Sequence, residues 1–405
     1  MSINTAAELR AALNTAEAGD VIQLGDIVGP VSIGPLSFDP PVTLRGGSFS
    51  LTGSPAEYTQ LLWLNKVTGL TLDGVQWRGA GERGGQLGWG IRADDCSRLT
   101  ITGCDLTMLH RGMLLTRCSD VVVTRNHIHA IRSDGINIAQ CERVHVLDNV
   151  IMDFTPAPGD HPDGAQLWTT GTTRGSRAIR IERNLIAGLA GQFPQGIFIS
   201  DELALYESDA GHDGITIEGN TIVGSAWHGI LVGPGVSRLR VAGNDVVGTT
   251  GATINGQRVT PWINLPADAM ATGNMAPRYL IGGKDGASAG NEVSTYISQT
   301  RADEVVEDWL VRWAERGDAA PQPEPDPEPQ PDPVPADPAP VDPPPVVAPA
   351  PGIDVAALRA SVESLLATAV NARDQTNQAE NALGRALYRQ DKVIAGAKAL
   401  LEALG

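Results

Sequence analysis

The chain has 405 residues, 42% of them hydrophobic, and its 47 acidic and 30 basic side chains leave a formal net charge of −17. That is enough apolar material for one large core, and the negative balance excludes a nucleic acid as partner. No segment reaches transmembrane length, so membrane insertion is not expected. The opening "MSINTAAELRAALNTAEAGD" also lacks the basic and apolar regions of a signal peptide, which predicts synthesis in the cytoplasm and departure by another route.

The first element is a helix. Thr5 and Glu8 have the spacing of a capping box, Leu9, Leu13 and Ala16 form one apolar stripe, and the short strand "VIQL" follows. The segments that come next repeat. "VVVTRNHI", "VHVLDNVI", "IRIERNLI", "ITIEGNTI" and "LRVAGNDV" place Asn126, Asn149, Asn184, Asn220 and Asn244 in one register, and Cys104 and Gly74 are assigned the same slot in earlier coils. The intervals are about 22 to 24 residues, stretched to about 35 twice. A second motif, a glycine followed by an alternating strand, precedes each: "WGIRA", "RGMLL", "DGINI", "DGAQL", "QGIFI" and "HGILV". Short period-two strands recurring at this spacing define a solenoid, and the fold class expected is an all-β, right-handed parallel β-helix. Equivalent residues then stack about 4.8 Å apart. Ile91, Met113, Ile136, Ala165, Ile197 and Ile230 form an inward apolar ladder, and the asparagines form an amide ladder.

Cys96, Cys118 and Cys141 share a phase and read as a small buried ladder. No CxxC spacing suggests zinc. His127 and His129 alternate on one face, with His110 near by coil phase. Both a metal site and an ordinary solvated face fit that pattern. His145 reads as an outward strand residue, His212 as a loop residue, and His228 occupies the slot before a repeated glycine.

An open solenoid needs covers at its ends. The far one is assigned to "ADEVVEDWLVRWAERG", with Val306, Trp309, Leu310 and Trp313 on one helical face. The first domain therefore spans 1–318. A Pro-rich acidic linker follows at 319–352, where proline at nearly every second position makes an extended spacer of at most about 3.1 Å per residue. The segment 353–405 is proline-free and carries a heptad from Leu358 through Val362 and Leu365 to Leu404, with Thr376 and Gln390 as polar core positions. A coiled coil that trimerises or anchors the chain is expected there. A helical hairpin and docking onto another protein remain alternatives.

The opening helix, "GDVIQL" and the Asn-bearing coils resemble the pectin-lyase-like right-handed β-helix proteins over roughly residues 5 to 300. That class includes polysaccharide lyases, glycoside hydrolases, sugar epimerases and phage tailspikes, so the likeness is specific for fold and weak for reaction. With the spacer and terminal helix, the whole resembles a tailspike or a gene transfer agent spike. The resemblance implies a homotrimer, a virion structural protein bound by the C-terminal helix, a surface polysaccharide as ligand, and a place on a phage-like particle.

One loop is dense in chemistry: "GDHPDGAQLW", Gly159 to Trp168. Asp134 and Asp163 each precede a repeated glycine, which sets them on adjacent rungs about 5 Å apart at the backbone. Such a pair shares a proton, binds a cation or faces solvent. Asn137, Gln166 and Phe198 fall in one outward column (Arg92, Leu114, Asn137, Gln166, Phe198, Leu231), and Trp168 points the same way, a set suited to sugar hydroxyls and a pyranose face. The coils of Asn184 and Asn220 carry the longest insertions, as walls around a site would. Two functions follow from different classes: a spike that binds polysaccharide, or a depolymerase. For hydrolysis Asp134 and Asp163 are the carboxyl pair. For elimination His161 or Arg132 would act, with Ca²⁺ on Asp160 and Asp163.

Overall fold

The computed structural model describes residues 2–203, 211–254 and 256–316. The linker 319–352 and the helical segment 353–405, with the coiled coil and trimer expected of them, lie outside the described residues.

Helix α1 (Ala6–Thr15) begins as its sequence dictates. The Glu8 amide donates to Thr5 Oγ1 at 3.1 Å, and the Thr5 amide donates back to Glu8 Oε2 at 3.1 Å. Leu9 and Leu13 are buried in the first coil. Beyond α1 the chain winds through three sheets of 10, 11 and 11 strands, visiting each in turn, parallel throughout except for Lys284–Asp285, which closes the third sheet antiparallel. In the coil following Cys141 the three strands are Glu142–Leu147, Val150–Phe154 and Asp163–Trp168. Pairing is in register: Ile91 with Met113, Met113 with Ile136, Ile136 with Ala165, Ala165 with Ile197, and Ile197 with Ile230. Every residue of this ladder is buried, and Leu62 and Ile263 extend it. A second ladder on the first sheet runs Leu70, Leu99, Val121, Val144, Ile179, Ile215. β-branched side chains suit such stacking because they pack on a pleated surface.

The asparagines form a continuous buried column. Asn126 Nδ2 donates to Asn149 Oδ1 at 2.9 Å, Asn149 to Asn184 at 2.9 Å, Asn184 to Asn220 at 3.0 Å and Asn220 to Asn244 at 2.9 Å. The column runs on through Asn274 and Asn291, in "ATGNMA" and "SAGNEV". At its start Cys104 does hold the slot, its amide donating to Asn126 Oδ1. Gly74 does not. Asp73 pairs with Thr102, so Gly74 stands beside Gly103 and the slot belongs to Val75. The residue ahead of each slot takes a left-handed conformation, φ 61° at Gly103 and 64° at Gly219, which a glycine adopts without steric cost. Arg125, Asp148 and Arg183 adopt the same φ, held there by the ladder on one side and the strand on the other.

The cysteines behave as a packed column. The Cys118 amide donates to Cys141 Sγ at 3.3 Å, the thiols donate to carbonyls of the preceding coils, and all four are free and buried.

The second helix departs from expectation. Helix α2 (Gln299–Glu315) does not close the far end of the solenoid. It lies along the outer face of the second sheet, where Val306 and Trp309 pack on Val150, Leu185, Ala187, Val223 and Val247. Its C-terminal end is pinned by Trp313 Nε1 donating to the Asp148 carbonyl at 2.6 Å and by an Arg316 to Asp148 ion pair at 2.7 Å. Seventeen residues make about 25 Å of helix, enough to cross five coils at about 4.8 Å each. Six outward positions of those strands, Val150, Met152, Leu185, Ala187, Val223 and Val247, are apolar and pack against α2, while Thr221 and Asp245 in the same columns are polar.

Candidate functional site

The third sheet presents a different outer face. Its strands begin in a column set just before the repeated glycines, which reads Gln60, Trp89, Arg111, Asp134, Asp163, Gln195, His228. Beside it runs the outward column Trp63, Arg92, Leu114, Asn137, Gln166, Phe198, Leu231. Trp168 stands one step further along, next to Ala139.

The structure brings Asp134 and Asp163 together. They are 3% and 2% exposed, and Asn137 is 0% exposed, so this part of the face is roofed and not the open groove the alternation predicts. Asp134 accepts from Arg111 Nη2 at 2.8 Å, Asn137 Nδ2 at 3.2 Å, the Ser133 hydroxyl at 3.2 Å and the Asp163 amide at 3.1 Å. Asp163 fares otherwise. Burial first, and then the charge of Asp134, hold its carboxyl well above the usual range, with Arg111 opposing. Asp163, whose charged form burial disfavours, thus sits beside a carboxyl that a guanidinium holds, an asymmetric carboxyl pair. Asp163 Oδ1, Asn137 Oδ1, Gln195 Oε1 and Arg111 Nε are buried without hydrogen-bond partners. Several such orphans on one face are a departure from the usual satisfaction of buried polar groups.

The remaining predicted residues take two places. Gln166 reaches Asn137, accepting from its Nδ2 at 3.1 Å, and Gln166, Trp168 and Phe198 are half-buried at the surface of the face. Arg132 and Asp160 are engaged with each other instead. Arg132 Nε meets Asp160 Oδ2 at 2.6 Å, Arg132 Nη1 meets Glu57 at 2.6 Å, and the Ala157 amide also donates to Asp160. Asp160 is therefore a brace for the loop after Phe154, its carboxylate engaged by Arg132 and the Ala157 amide. His161 is exposed on that loop. His110 belongs to this network rather than with His127 and His129. It lies 3.6 Å from Glu57 and against Tyr58, and burial, reinforced by Arg132 and Arg111, lowers its pKa. His212, expected in a loop, is fully buried. Its Nδ1 accepts from the Ser176 amide at 2.9 Å, so Nε2 carries the proton toward the Ser200 carbonyl.

Sequence reasoning missed much of the face. Arg111 stacks over Trp89 at 4.8 Å, Tyr58 meets Trp89 edge-on at 5.5 Å, and burial raises the Tyr58 phenol to about 12. Arg92 and the Trp63 indole both donate to Asp94 Oδ2 at 2.7 Å. Farther along, Trp227 stacks on Trp262 at 6.3 Å, and Trp262 Nε1 donates to His228 Nδ1 at 3.1 Å. Burial lowers His228 to about 4, which keeps it neutral. The signal was the first letter of each repeat: W, R, D, D, Q, H before the glycines form a polar and aromatic column where a structural solenoid would carry interchangeable residues.

The chain is thus a parallel β-helix with one outer face devoted to polar and aromatic groups. The family described as "Right handed beta helix region" matches residues 62–186 and 90–261, in keeping with the handedness expected. Among solved structures, an alginate lyase from Paenibacillus sp. is similar at 16% identity, covering 73% of this chain and 98% of its own, with a TM-score of 0.41. A polygalacturonase from Erwinia carotovora is similar at 11% identity, over 73% of this chain and 96% of its own, TM-score 0.39. A pectate lyase from Bacillus sp., solved with trigalacturonate, is similar at 12% identity, over 76% and 91%, TM-score 0.37. No curated protein sequence matches the chain.

Proposed function

We propose that the outer face of the third sheet binds a surface polysaccharide, and that the chain is a spike of a phage-like particle that attaches through this face. The observation that carries the binding reading is the run of half-buried rings Trp63, Trp89, Trp168, Phe198 and Trp262 along one outer face, with the half-buried Gln166 among them. Aromatic faces take pyranose rings and a surface amide takes hydroxyls. From the Trp63 strand to the Trp262 strand the face extends seven rungs, roughly 34 Å, which suits a chain rather than a single sugar. The acidic proline spacer and the heptad of 353–405 favour a spike: a head held at a distance from a base that forms a homotrimer and docks on a virion structural protein.

A second reading rests on one observation, the buried Asp134 and Asp163 side by side with Arg111 bound to Asp134 alone. In a depolymerase Asp163 would give its proton to the leaving oxygen and Asp134 would serve as the base or nucleophile. The test is to incubate the purified chain with a panel of capsular polysaccharides and uronans, following chain length and retention together. Retention of intact polymer that fails in Trp168→Ala supports the binding reading. Shortened chains, lost in Asp134→Asn and Asp163→Asn, would replace it with the enzymatic one, and neither retention nor shortening would refute both.

A further inference from the structure

The outer face of the second sheet carries a cluster that the polysaccharide face does not use. His127 and His129 lie at alternate positions of one strand (His127–Ile131), and Asp105 lies one coil below, paired directly with His127. Their imidazoles stack at 4.1 Å and 12°. His127 Nδ1 is 3.2 Å from Asp105 Oδ2, His129 Nε2 is 3.2 Å from the same oxygen, and all three ligand atoms lie within 4.8 Å of one another. Asp105 is 42% exposed, His127 35% and His129 27%.

We propose that Asp105, His127 and His129 bind one late first-row divalent cation of the Zn²⁺ class. The geometry is already close. A tetrahedral ion with bonds of about 2.0–2.2 Å holds its ligand atoms roughly 3.3–3.5 Å apart, against 3.2 Å for both nitrogen to oxygen distances here. The chemistry agrees: two imidazoles and a carboxylate suit Zn²⁺, Ni²⁺ or Cu²⁺, whereas Ca²⁺ and Mg²⁺ ask for oxygen ligands alone. Charge agrees as well. Two stacked imidazoliums on one carboxylate would leave an unbalanced positive charge, while two neutral rings, one carboxylate and a dication hold the same groups by direct bonds. Without an ion, two histidines aimed at one oxygen compete for it. With an ion, all three become ligands. Asp105 and His127 come from successive coils, so the ion would pin two rungs together and keep a fourth position open toward solvent, next to the strand face where α2 ends.

The experiment uses the full chain, free of any histidine tag and stripped with a chelator, titrated calorimetrically with ZnCl₂ and, in parallel, with CaCl₂. About one equivalent of Zn²⁺ per chain and no uptake of Ca²⁺ are expected. His127→Gln, His129→Gln and Asp105→Asn should each weaken binding by more than the roughly 10- to 100-fold that loss of an outer partner costs. His110→Gln and His161→Gln should leave it unchanged. Zinc-edge X-ray absorption of the loaded wild-type chain counts imidazole ligands without any substitution and should find two. No stoichiometric binding by the wild type, undiminished binding in the double His127→Gln, His129→Gln variant, or an absorption spectrum without imidazole ligation would each overturn the proposal.

Discussion

Asn184→Ala probes the ladder that holds the coils in register. Four hydrogen bonds disappear: from Asn149 N and Nδ2 to Asn184 Oδ1, both at 2.9 Å, and from Asn184 Nδ2 to the Val146 carbonyl at 2.9 Å and to Asn220 Oδ1 at 3.0 Å. Their loss is unequal. Asn149 Nδ2 has two hydrogens and retains the carbonyls of Val123 and Leu147, and Asn220 Oδ1 retains the Asn184 amide. The Asn149 amide keeps no partner in a site closed to water, at about 1–3 kcal/mol, and the Val146 carbonyl loses a donor at about 1 kcal/mol. With the gap left by the amide group, the total is about 3–5 kcal/mol, a large share of the 5–15 kcal/mol that typically separates folded from unfolded domains. Denaturant unfolding should show a drop of that size, and hydrogen exchange at the Asn149 amide should accelerate more than at amides of α1. Thr173→Ala, which removes a bond to Gln140 on an exposed turn, should cost less than about 0.5 kcal/mol. A loss under about 1 kcal/mol for Asn184→Ala would refute the view that the ladder stabilises the solenoid beyond its apolar columns.

Other expectations follow from the same geometry. Trp168→Ala and Phe198→Ala should each weaken retention of a bound polysaccharide by about 1–2 kcal/mol, or roughly 5- to 30-fold in Kd, in affinity electrophoresis, and unchanged mobility would count against binding at this face. Asp163 has a folded pKa raised above the unfolded value of about 3.9. The stability it lends as a neutral acid is therefore complete below that pH and lost as pH rises through the folded value. Asp163→Asn should flatten the decline of the unfolding midpoint at rising pH, and an unaltered slope would show that Asp163 is not the group responsible. Trp313→Ala deletes the bond to the Asp148 carbonyl and the platform for Arg125, and should cost about 2 kcal/mol and raise binding of an apolar dye as α2 loosens. Dye binding equal to wild type would mean that α2 is held by its Val306 and Trp309 contacts alone.

The parts of this fold legible in the sequence are those fixed by strict periodicity. The inward isoleucine ladder, the asparagine register and the capping box each repeat a local rule, and each is found where it was read. The column of asparagines was cut short at Asn244 because the next intervals, 30 and 17 residues, fall outside the coil period. The residues themselves, each after a glycine, announce the slot. The helix from Gln299 was legible as a helix but not as to its seat. Its apolar stripe is the same for an end cap and for a lateral strap, and the choice depended on Val150, Leu185, Val223 and Val247 being apolar at outward positions. For the candidate site, alternation correctly assigned Asn137 and Gln166 to the outer face but could not show that Arg111 and neighbouring groups would bury Asn137. Arg132 and Asp160 read as an elimination residue and a Ca²⁺ ligand because each lies within three residues of Asp134 or Asp163 in sequence. In space they find each other and Glu57.

The three outer faces make the location of function an argument by comparison. On all three sheets the inner columns are apolar and serve the core. The outer face of the first sheet is threonine-rich and crossed by ion pairs between coils, such as Arg45 with Asp73 and Arg240 with Glu218, partly exposed pairs of the kind that contribute about 0–1 kcal/mol and demand no ligand. The second sheet is covered by α2 over four coils and carries the Asp105, His127, His129 cluster just beyond it. On the third sheet burial disfavours the charged form of Asp163, and half-buried aromatic rings line the face from Trp63 to Trp262. Each of those features costs stability or forgoes it when the chain stands alone. These features are what the proposed binding of an extended, hydroxyl-rich polymer rests on.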